Sequence, residues 1–138
     1  MPYRHLTIRE IETIPIRVPL RQVYRGSYYQ MTHRSTIVTR IHMDEGIMGE
    51  VFTGDEDHIN SRIERVIQDE IAPRLIGEDA FAVERCWELA RPATFNILRD
   101  RRIALVACAA VDGAPIGERR CSGVERHDLA HAPLHTRA

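Results

Sequence analysis

The chain has 138 residues, of which 43% are hydrophobic and 28% charged, and its formal net charge is −1. This length allows one domain and excludes an additional (β/α) barrel, which needs about 200 residues or more. The composition is that of a soluble globular protein, since no apolar run approaches the roughly 20 residues that span a bilayer. The balanced charge gives no general attraction to nucleic acid or to a membrane surface.

The reactive residue types restrict the chemistry further. All 19 basic residues are arginine, so neither a Schiff base nor a lysine general base is available. The three cysteines, Cys86, Cys108 and Cys121, lack CxxC spacing, which predicts neither a disulfide framework nor a zinc site. The first residues lead directly into an alternating strand pattern rather than a signal peptide, so a cytoplasmic location is expected.

The first predicted strand extends from Leu6 to Val18. Ile14 and Ile16 share a face with Val18, and the earlier apolar residues have the same parity. Ile11 breaks this alternation. The break indicates either a kink or a strand that is buried on both faces.

A long loop, Leu20 to His33, is predicted next because the periodicity is lost there. The following stretch gives the strongest local pattern, a β-hairpin. Its strands are Thr36 to Met43, which alternates apolar and polar residues, and Ile47 to Phe52. Gly46 lies between them and can adopt the positive φ of a tight turn at little cost. The sequence therefore predicts three antiparallel strands in a meander.

The first of three predicted helices follows this hairpin. Residues Thr53 to Asp57 offer N-cap oxygens and acidic side chains for the positive end of a helix. Apolar residues then recur at helical spacing from Ile59 to Ile71, and Pro73 and Gly77 end the pattern.

Two further helices complete the pattern. Asp79 is predicted to cap the second helix, which ends before Pro92. The third, Arg99 to Asp112, is apolar on every side from Ile103 to Val111, which indicates burial all round. The expected inward-facing residues of the second helix are Phe81, Val83, Cys86, Trp87 and Ala90.

The last part of the chain, Gly113 to Ala138, has no sustained period of 2 or 3.6 residues. This composition predicts irregular or disordered structure. Two explanations compete: a natural flexible tail, or a shifted reading frame in GC-rich coding sequence, which we favour. The predicted organisation is one domain, residues 1–112, and a tail, residues 113–138.

Three stretches resemble the N-terminal capping domain of the mandelate racemase and muconate lactonizing enzyme family, in the enolase superfamily. Asp44 to Glu50 (DEGIMGE) is similar to the family's DEGIVG hairpin with a glutamate close behind. Ile71 to Gly77 (IAPRLIG) resembles the APxLIG that ends the first helix. Ala107 to Asp112 looks like the helix that leads into the VDxALWD entry to the barrel. The resemblance ends after Asp112 and covers roughly residues 4 to 112.

The resemblance implies an α+β fold: a three-stranded antiparallel β-meander followed by a three-helix bundle. It also implies a lid and specificity domain of a Mg²⁺-dependent racemase, epimerase or acid-sugar dehydratase that acts on a carboxylate or acid-sugar substrate. In that family the Mg²⁺ ligands and the catalytic base belong to the barrel. We therefore expect no catalytic residue, metal ligand or resident cofactor in this chain, and no activity of the chain alone.

By position, Leu20 to His33 and Thr53 to Asp57 correspond to two mobile loops that close over the barrel mouth. The tyrosines in these loops suit an aromatic wall, and a guanidinium suits a carboxylate. The alternative is that one or two tyrosines pack the loop onto its own domain. The candidate substrate-binding residues are Tyr24, Arg25, Tyr28, Tyr29 and Thr53.

Other constellations give weaker signals. The seven histidines form no HxH or HExxH motif, and His127 and His131 lie in sequence that favours no helix. Asp55, Glu56 and Asp57 are better explained by helix capping than by acid–base chemistry. The tyrosine and arginine segment has too little charge for nucleic acid.

The alternative function is a stand-alone protein-interaction module that uses the barrel-facing surface. Self-association is expected of a capping domain without its barrel, because the apolar third helix needs cover that the meander and two helices supply only in part. A monomer would favour the interaction module. No nucleic-acid or membrane partner is expected.

Overall fold

The computed structural model describes residues 5–54 and 57–121, and its side chains up to residue 114. Three strands, β1 (Ile8–Arg25), β2 (Gln30–Met43) and β3 (Met48–Phe52), form an antiparallel sheet in the order β1-β2-β3. The predicted meander is therefore confirmed.

Helices cover one face of this sheet and make the fold α+β. The predicted three-helix bundle is not confirmed as such, because the first helical stretch is divided and the second helix is short. None of the helices in the described ranges has the length and apolar character needed to cross a membrane. The elements are α1 (Asn60–Val66), a π-helical turn (Ile67–Ile71), α2 (Ala72–Leu75), α3 (Val83–Ala90), a 3₁₀ turn (Arg91–Phe95) and α4 (Arg101–Cys121).

Pro73 explains the π-helical turn. A proline has no N–H and cannot donate to the carbonyl four residues earlier, so a regular α-helix is disturbed there. The chain accommodates this by a wider turn just before the proline, in which the Ala72 N–H donates to the Ile67 carbonyl five residues back. Pro73 itself then lies in the first turn of α2.

A β-bulge near the start of β1 explains the broken alternation at Ile11. Ile8 pairs with Met43 and Glu10 with His42, so one extra residue is inserted on β1. The bulge lets both Ile8 and Ile11 face the core, where they are almost fully buried. Of the two interpretations of the sequence, the kink is correct.

The core lies between the inner face of β2 and the helices. Ile37 and Ile41 of β2, Ile63 of α1, and Ile103 and Ala107 of α4 are all at most 1% exposed. Burying one such isoleucine side chain contributes about 1.5–3 kcal/mol. This contact fixes the sheet on the helices and leaves the far end of the β1–β2 hairpin outside the core.

The predicted loop Leu20 to His33 is wrong over most of its length. β1 continues to Arg25 and β2 begins at Gln30, so only residues 26–29 connect the strands. This segment is a two-stranded ribbon that projects beyond the helices. Since neither of its faces is covered, its sequence has no apolar alternation from which strands could be predicted.

Asp57, in the acidic turn before α1, does not cap that helix. Ile59 occupies the N-cap position and makes no side-chain cap hydrogen bond. Asp57 instead accepts a hydrogen bond from Arg17 of β1, with Oδ1 2.9 Å from Nε. Asp55 and Glu56 lie outside the described residues.

Asp79 does not cap α3 either, because the N-cap position is Ala82. Its Oδ1 accepts hydrogen bonds from the backbone N–H of Phe81 at 3.1 Å and of Leu6 at 3.2 Å. Asp79 therefore ties the turn before α3 to the chain just before β1. Sequence spacing could not show this, because the bond to Leu6 is long-range.

Two helix faces are more exposed than predicted. In α3 only Ala90 is buried among the five residues expected to face inward, and Trp87 is 39% exposed. In α4, Leu105 is 44% exposed, so this helix is not buried on every side. Each of these helices is therefore buried on one side and exposed to solvent on the other.

Helix α4 extends to Cys121 rather than ending at Asp112. Gly113 faces β3, and a Cβ there would lie 3.2 Å from Val51 Cγ2, so the missing side chain permits close packing. Ala114 is fully buried. Gly113 is thus a packing contact, and the predicted tail after residue 121 lies outside the described residues.

Candidate functional site

The tip of the β1–β2 ribbon carries most of the candidate substrate-binding residues. The last cross-strand pairs are Tyr24 with Met31 and Arg25 with Gln30. Beyond them the Gly26 N–H donates to the Tyr29 carbonyl at 2.9 Å and closes the turn. Extended pairing therefore places an aromatic tip far from the core.

The tyrosines of the turn differ in what they contact. Tyr28 is fully exposed, while Tyr29 is 65% exposed. The Tyr29 ring lies over Gly26, where an added Cβ would be 2.3 Å from its Cε1. Tyr29 thus packs on its own turn, and Tyr28 is the more exposed of the two side chains.

The strand register places Tyr24 and Arg25 on opposite faces of the ribbon. Tyr24 pairs with Met31, which has the same parity on β2 as the buried Ile37. Arg25 pairs with Gln30, which has the parity of the outward-facing Val38. A ligand bound on one face of the ribbon therefore meets one of these two side chains.

Thr53 is not part of this tip. It follows β3 and is 9% exposed, and its Oγ1 accepts a hydrogen bond from the Ile37 N–H at 3.1 Å. The Thr36 hydroxyl donates to the Thr53 carbonyl at 2.7 Å. Since Ile37 and Tyr29 are eight residues apart along β2, Thr53 lies about 25 Å from the tip. The structure does not bring Thr53 and the tyrosines together.

The ribbon is positively charged. Residues 16–34 contain four arginines and no acidic residue. One of them, Arg17, is paired with Asp57, and this guanidinium lowers the pKa of the Asp57 carboxyl. The remaining positive charge favours an anionic ligand near the ribbon.

The described residues contain no group of three or more His, Cys, Asp or Glu side chains that could hold a metal ion. Burial is the main cause that raises the pKa of the Cys86 and Cys108 thiols to about 11, so both are protonated and unreactive at neutral pH.

An exposed apolar segment between α3 and α4 was missed by the sequence analysis. Ile97 and Leu98 are each 93% exposed and Phe95 is 60% exposed. The available signal was an apolar run outside any predicted helix, since connections are usually polar. Such a patch marks a contact surface.

The chain matches a known family over most of its length. The model of the mandelate racemase / muconate lactonizing enzyme N-terminal domain matches residues 8–116. This range includes the whole sheet and the first sixteen residues of α4. No curated protein matches the chain.

Solved structures of this family share the fold. One mandelate racemase/muconate lactonizing enzyme is 57% identical, with a TM-score of 0.76 over 80% of this chain and 30% of that chain. Another, from a marine actinobacterium in complex with magnesium, is 52% identical, with a TM-score of 0.70 over 80% and 28% of the two chains. N-succinyl Arg/Lys racemase from Bacillus cereus, 24% identical, has a TM-score of 0.64 over 79% and 29% and shows the fold alone. The chain spans about three tenths of the length of these structures.

Proposed function

The chain belongs to the mandelate racemase / muconate lactonizing enzyme family as its N-terminal domain, and we propose that it is the capping domain of a Mg²⁺-dependent racemase, epimerase or acid-sugar dehydratase. The observation that carries this proposal is the exposed aromatic tip of the ribbon, which extends beyond the core. In the proposal this tip closes over a carboxylate or acid-sugar substrate in a separate barrel domain.

The contribution of this chain is to cover the substrate and exclude water. Tyr28 supplies an exposed ring, Tyr24 a second one on the inner face of the ribbon, and Tyr29 supports the turn. Water exclusion strengthens the electrostatic interactions in the closed site. Mg²⁺, when bound to barrel residues, would supply the charge that stabilises the deprotonated substrate.

The apolar connection between α3 and α4 supports a docking role. Ile97 and Leu98 expose almost their whole surface to solvent, and the chain matches only about three tenths of the solved relatives. We assign this segment to contact with the remaining part of such an enzyme. The comparisons do not favour the alternative of a stand-alone interaction module.

A domain exchange tests the proposal. Residues 8–116 replace the matching segment of the 57% identical relative, and α-proton exchange of acid sugars and α-hydroxy acids is followed in D₂O with Mg²⁺. We expect the chimera to exchange the same substrates as the unaltered relative. A folded chimera that binds Mg²⁺ but exchanges none of these protons would contradict a capping role.

A further inference from the structure

The ribbon leaves the helices at a defined position on β2. Ser35 is 5% exposed and is the last buried residue of β2 on the way to the tip, because residues 30–34 are all at least partly exposed. Its cross-strand partner on β1 is Arg17. The pair of Ser35 and Arg17 therefore lies at the boundary between the part of the sheet that the helices cover and the projecting ribbon.

Asp57, in the turn before α1, binds both strands at this boundary. The Arg17 guanidinium donates to its two carboxylate oxygens, with Nε 2.9 Å from Oδ1 and Nη2 3.4 Å from Oδ2. The Ser35 side chain also hydrogen-bonds the Asp57 carboxylate. Because an ionised carboxylate only accepts hydrogen bonds, the Ser35 hydroxyl is the donor. One side chain of the turn thus holds β1 and β2.

Asn60 continues this set of bonds into α1. Its Nδ2 donates to Ser35 Oγ at 2.8 Å, which leaves the hydrogen of the Ser35 hydroxyl for Asp57. Asn60 is buried at the first position of the helix. We call Arg17, Ser35, Asp57 and Asn60 the latch. The latch joins the two strands of the ribbon, the turn and α1.

The ion pair of the latch sets an orientation more than it stabilises the fold. The side chains of Arg17 and Asp57 are 57% and 47% exposed, and ion pairs with this exposure contribute little to stability because water screens them. A guanidinium that donates to both oxygens of a carboxylate nevertheless restricts the direction in which the two groups meet. The latch therefore restricts the angle between the ribbon and the helices.

A small rotation at the latch is a large displacement at the tip. The turn residue Tyr29 lies six positions beyond Ser35, or about 20 Å along the strand. A rotation of the ribbon by about 3° then moves the tip by about 1 Å. Displacements of about 1 Å are enough to disturb the geometry of a reacting complex. A lid of this length needs a fixed base.

We propose that Arg17 and Asp57 are positioning residues, which hold the ribbon and the turn before α1 in one orientation so that both close over a substrate as a unit. The inference rests on the proposed capping role. Neither side chain needs to touch the substrate, because both act through the aromatic tip. The sequence attributes Asp57 to helix capping and does not single out Arg17, since their contact is long-range.

Residual dipolar couplings of the backbone amides in the purified chain measure how the ribbon is oriented relative to the core. In the wild type, one alignment tensor should fit both the ribbon, Leu20 to His33, and the β2–β3 hairpin. In Arg17→Ala and in Asp57→Ala the couplings of the ribbon should fall by about half, because the ribbon then samples several orientations. The couplings of the hairpin should not change.

Arg9→Ala is the matched control for these couplings. It removes an exposed arginine from the same strand, where the partner is Asp44 and the ion pair lies away from the ribbon. This variant should leave the couplings of the ribbon at their wild-type values. If Arg17→Ala and Asp57→Ala also keep the wild-type couplings, or if Arg9→Ala lowers them equally, the inference is overturned whether or not the domain is a cap.

Kinetics in the chimera with the 57% identical relative test the positioning role. Arg17→Ala and Asp57→Ala should each lower kcat/KM about tenfold, with the thermal midpoint unchanged because the pair is exposed. The double variant should lose no more than either single variant, since each single change already opens the latch. Additive losses, or an unchanged kcat/KM in both single variants, would overturn the inference. An unaltered chimera without activity would instead contradict the capping role, and the dipolar couplings would still decide whether the latch holds the ribbon.

Discussion

Thr39 is a polar residue in the core whose buried hydroxyl lacks a hydrogen-bond partner in the described part of the chain. It is fully buried on β2 between Ile37 and Ile41, and its Oγ1 has no hydrogen-bond partner within the described part of the chain. The nearby Thr36 hydroxyl, in contrast, donates to the Thr53 carbonyl at 2.7 Å. Thr36 and Thr39 therefore allow a comparison, on one strand, of a hydrogen-bonded hydroxyl with an unpaired one.

Valine has nearly the shape of threonine without the hydroxyl, so the pair gives opposite predictions. Thr39→Val should raise the free energy of unfolding by about 1 kcal/mol, because an unpaired buried polar group is removed. Thr36→Val should lower it by about 1 kcal/mol, because a hydrogen bond is lost and a carbonyl is left without it. Urea denaturation measures both, and a destabilised Thr39→Val would contradict the assignment.

Asp44 makes stability depend on pH. The hydrogen bond from Arg9, with Nε 2.5 Å from Oδ1, and the bonds from Thr7 lower its pKa below the ordinary 3.8. A lowered pKa in the folded state stabilises the fold above the unfolded value, and this stabilisation is lost as pH falls through the folded value.

Asp44→Asn should therefore lower the melting temperature at pH 7, and this effect should become smaller as the pH falls and the native carboxyl takes up its proton. The difference in melting temperature between the wild type and Asp44→Asn should become smaller below about pH 4. Asp69→Asn, an exposed change on the π-helical turn, is the control. If the melting temperatures of the wild type and Asp44→Asn differ by the same amount from pH 7 to pH 2, Asp44 does not have this role.

At the scale of elements, the connection between α3 and α4 is fixed by Arg99. Its guanidinium donates to both carboxylate oxygens of Glu70, with Nη1 3.0 Å from Oε2, and also to the Ala93 carbonyl at 3.0 Å. The side chain of Arg99 is 17% exposed. A fork of this geometry joins the π-helical turn to the segment before α4.

Arg99→Ala should lower the free energy of unfolding by about 2 kcal/mol, since it removes charge-assisted bonds and leaves Glu70 unpaired. Arg99→Lys should recover only part of this, because an ammonium cannot donate a parallel pair of bonds. Arg101→Ala, an exposed change two residues away, should have little effect. If Arg99→Ala and Arg101→Ala unfold at the same urea concentration, the hydrogen bonds of Arg99 do not stabilise this connection.

Local pattern was enough to predict the elements that pack on the core. The strands of the β2–β3 hairpin alternate because one face is covered, and Gly46 has the positive φ expected of it. The sequence from Leu20 to His33 predicts a loop, because the strands of this ribbon pair through backbone hydrogen bonds, which leave no apolar pattern in the sequence. The predicted third helix ends at Asp112, earlier than α4 does, because the sequence after Asp112 has no sustained period of 3.6 residues.

The candidate site could be predicted in part for the same reason. Exposure of Tyr24, Tyr28 and Tyr29 follows from their position beyond the core. The separation of Tyr24 from Arg25 depends on strand register, which a predicted loop does not have. The burial of Thr53 depends on its long-range bonds to β2.

At the scale of the whole molecule, the ribbon extends beyond the core and presents different side chains on its two faces. Tyr24 lies on the inner face of the ribbon and Tyr28 on its tip, whereas Arg25 lies on the outer face. In the proposed capping role, the tip and the inner face are the parts of the ribbon that meet a substrate.

The most direct test of the capping role is the effect of Tyr28 on substrate binding in the chimera with the 57% identical relative. We expect Tyr28→Ala to raise KM about tenfold, a loss of about 1.4 kcal/mol, with the unfolding midpoint unchanged because this side chain is fully exposed. Ile76→Ala, which removes part of an exposed side chain away from the ribbon and from the connection between α3 and α4, should leave KM unchanged. A Tyr28→Ala chimera with the KM and kcat of the unaltered chimera would contradict the account.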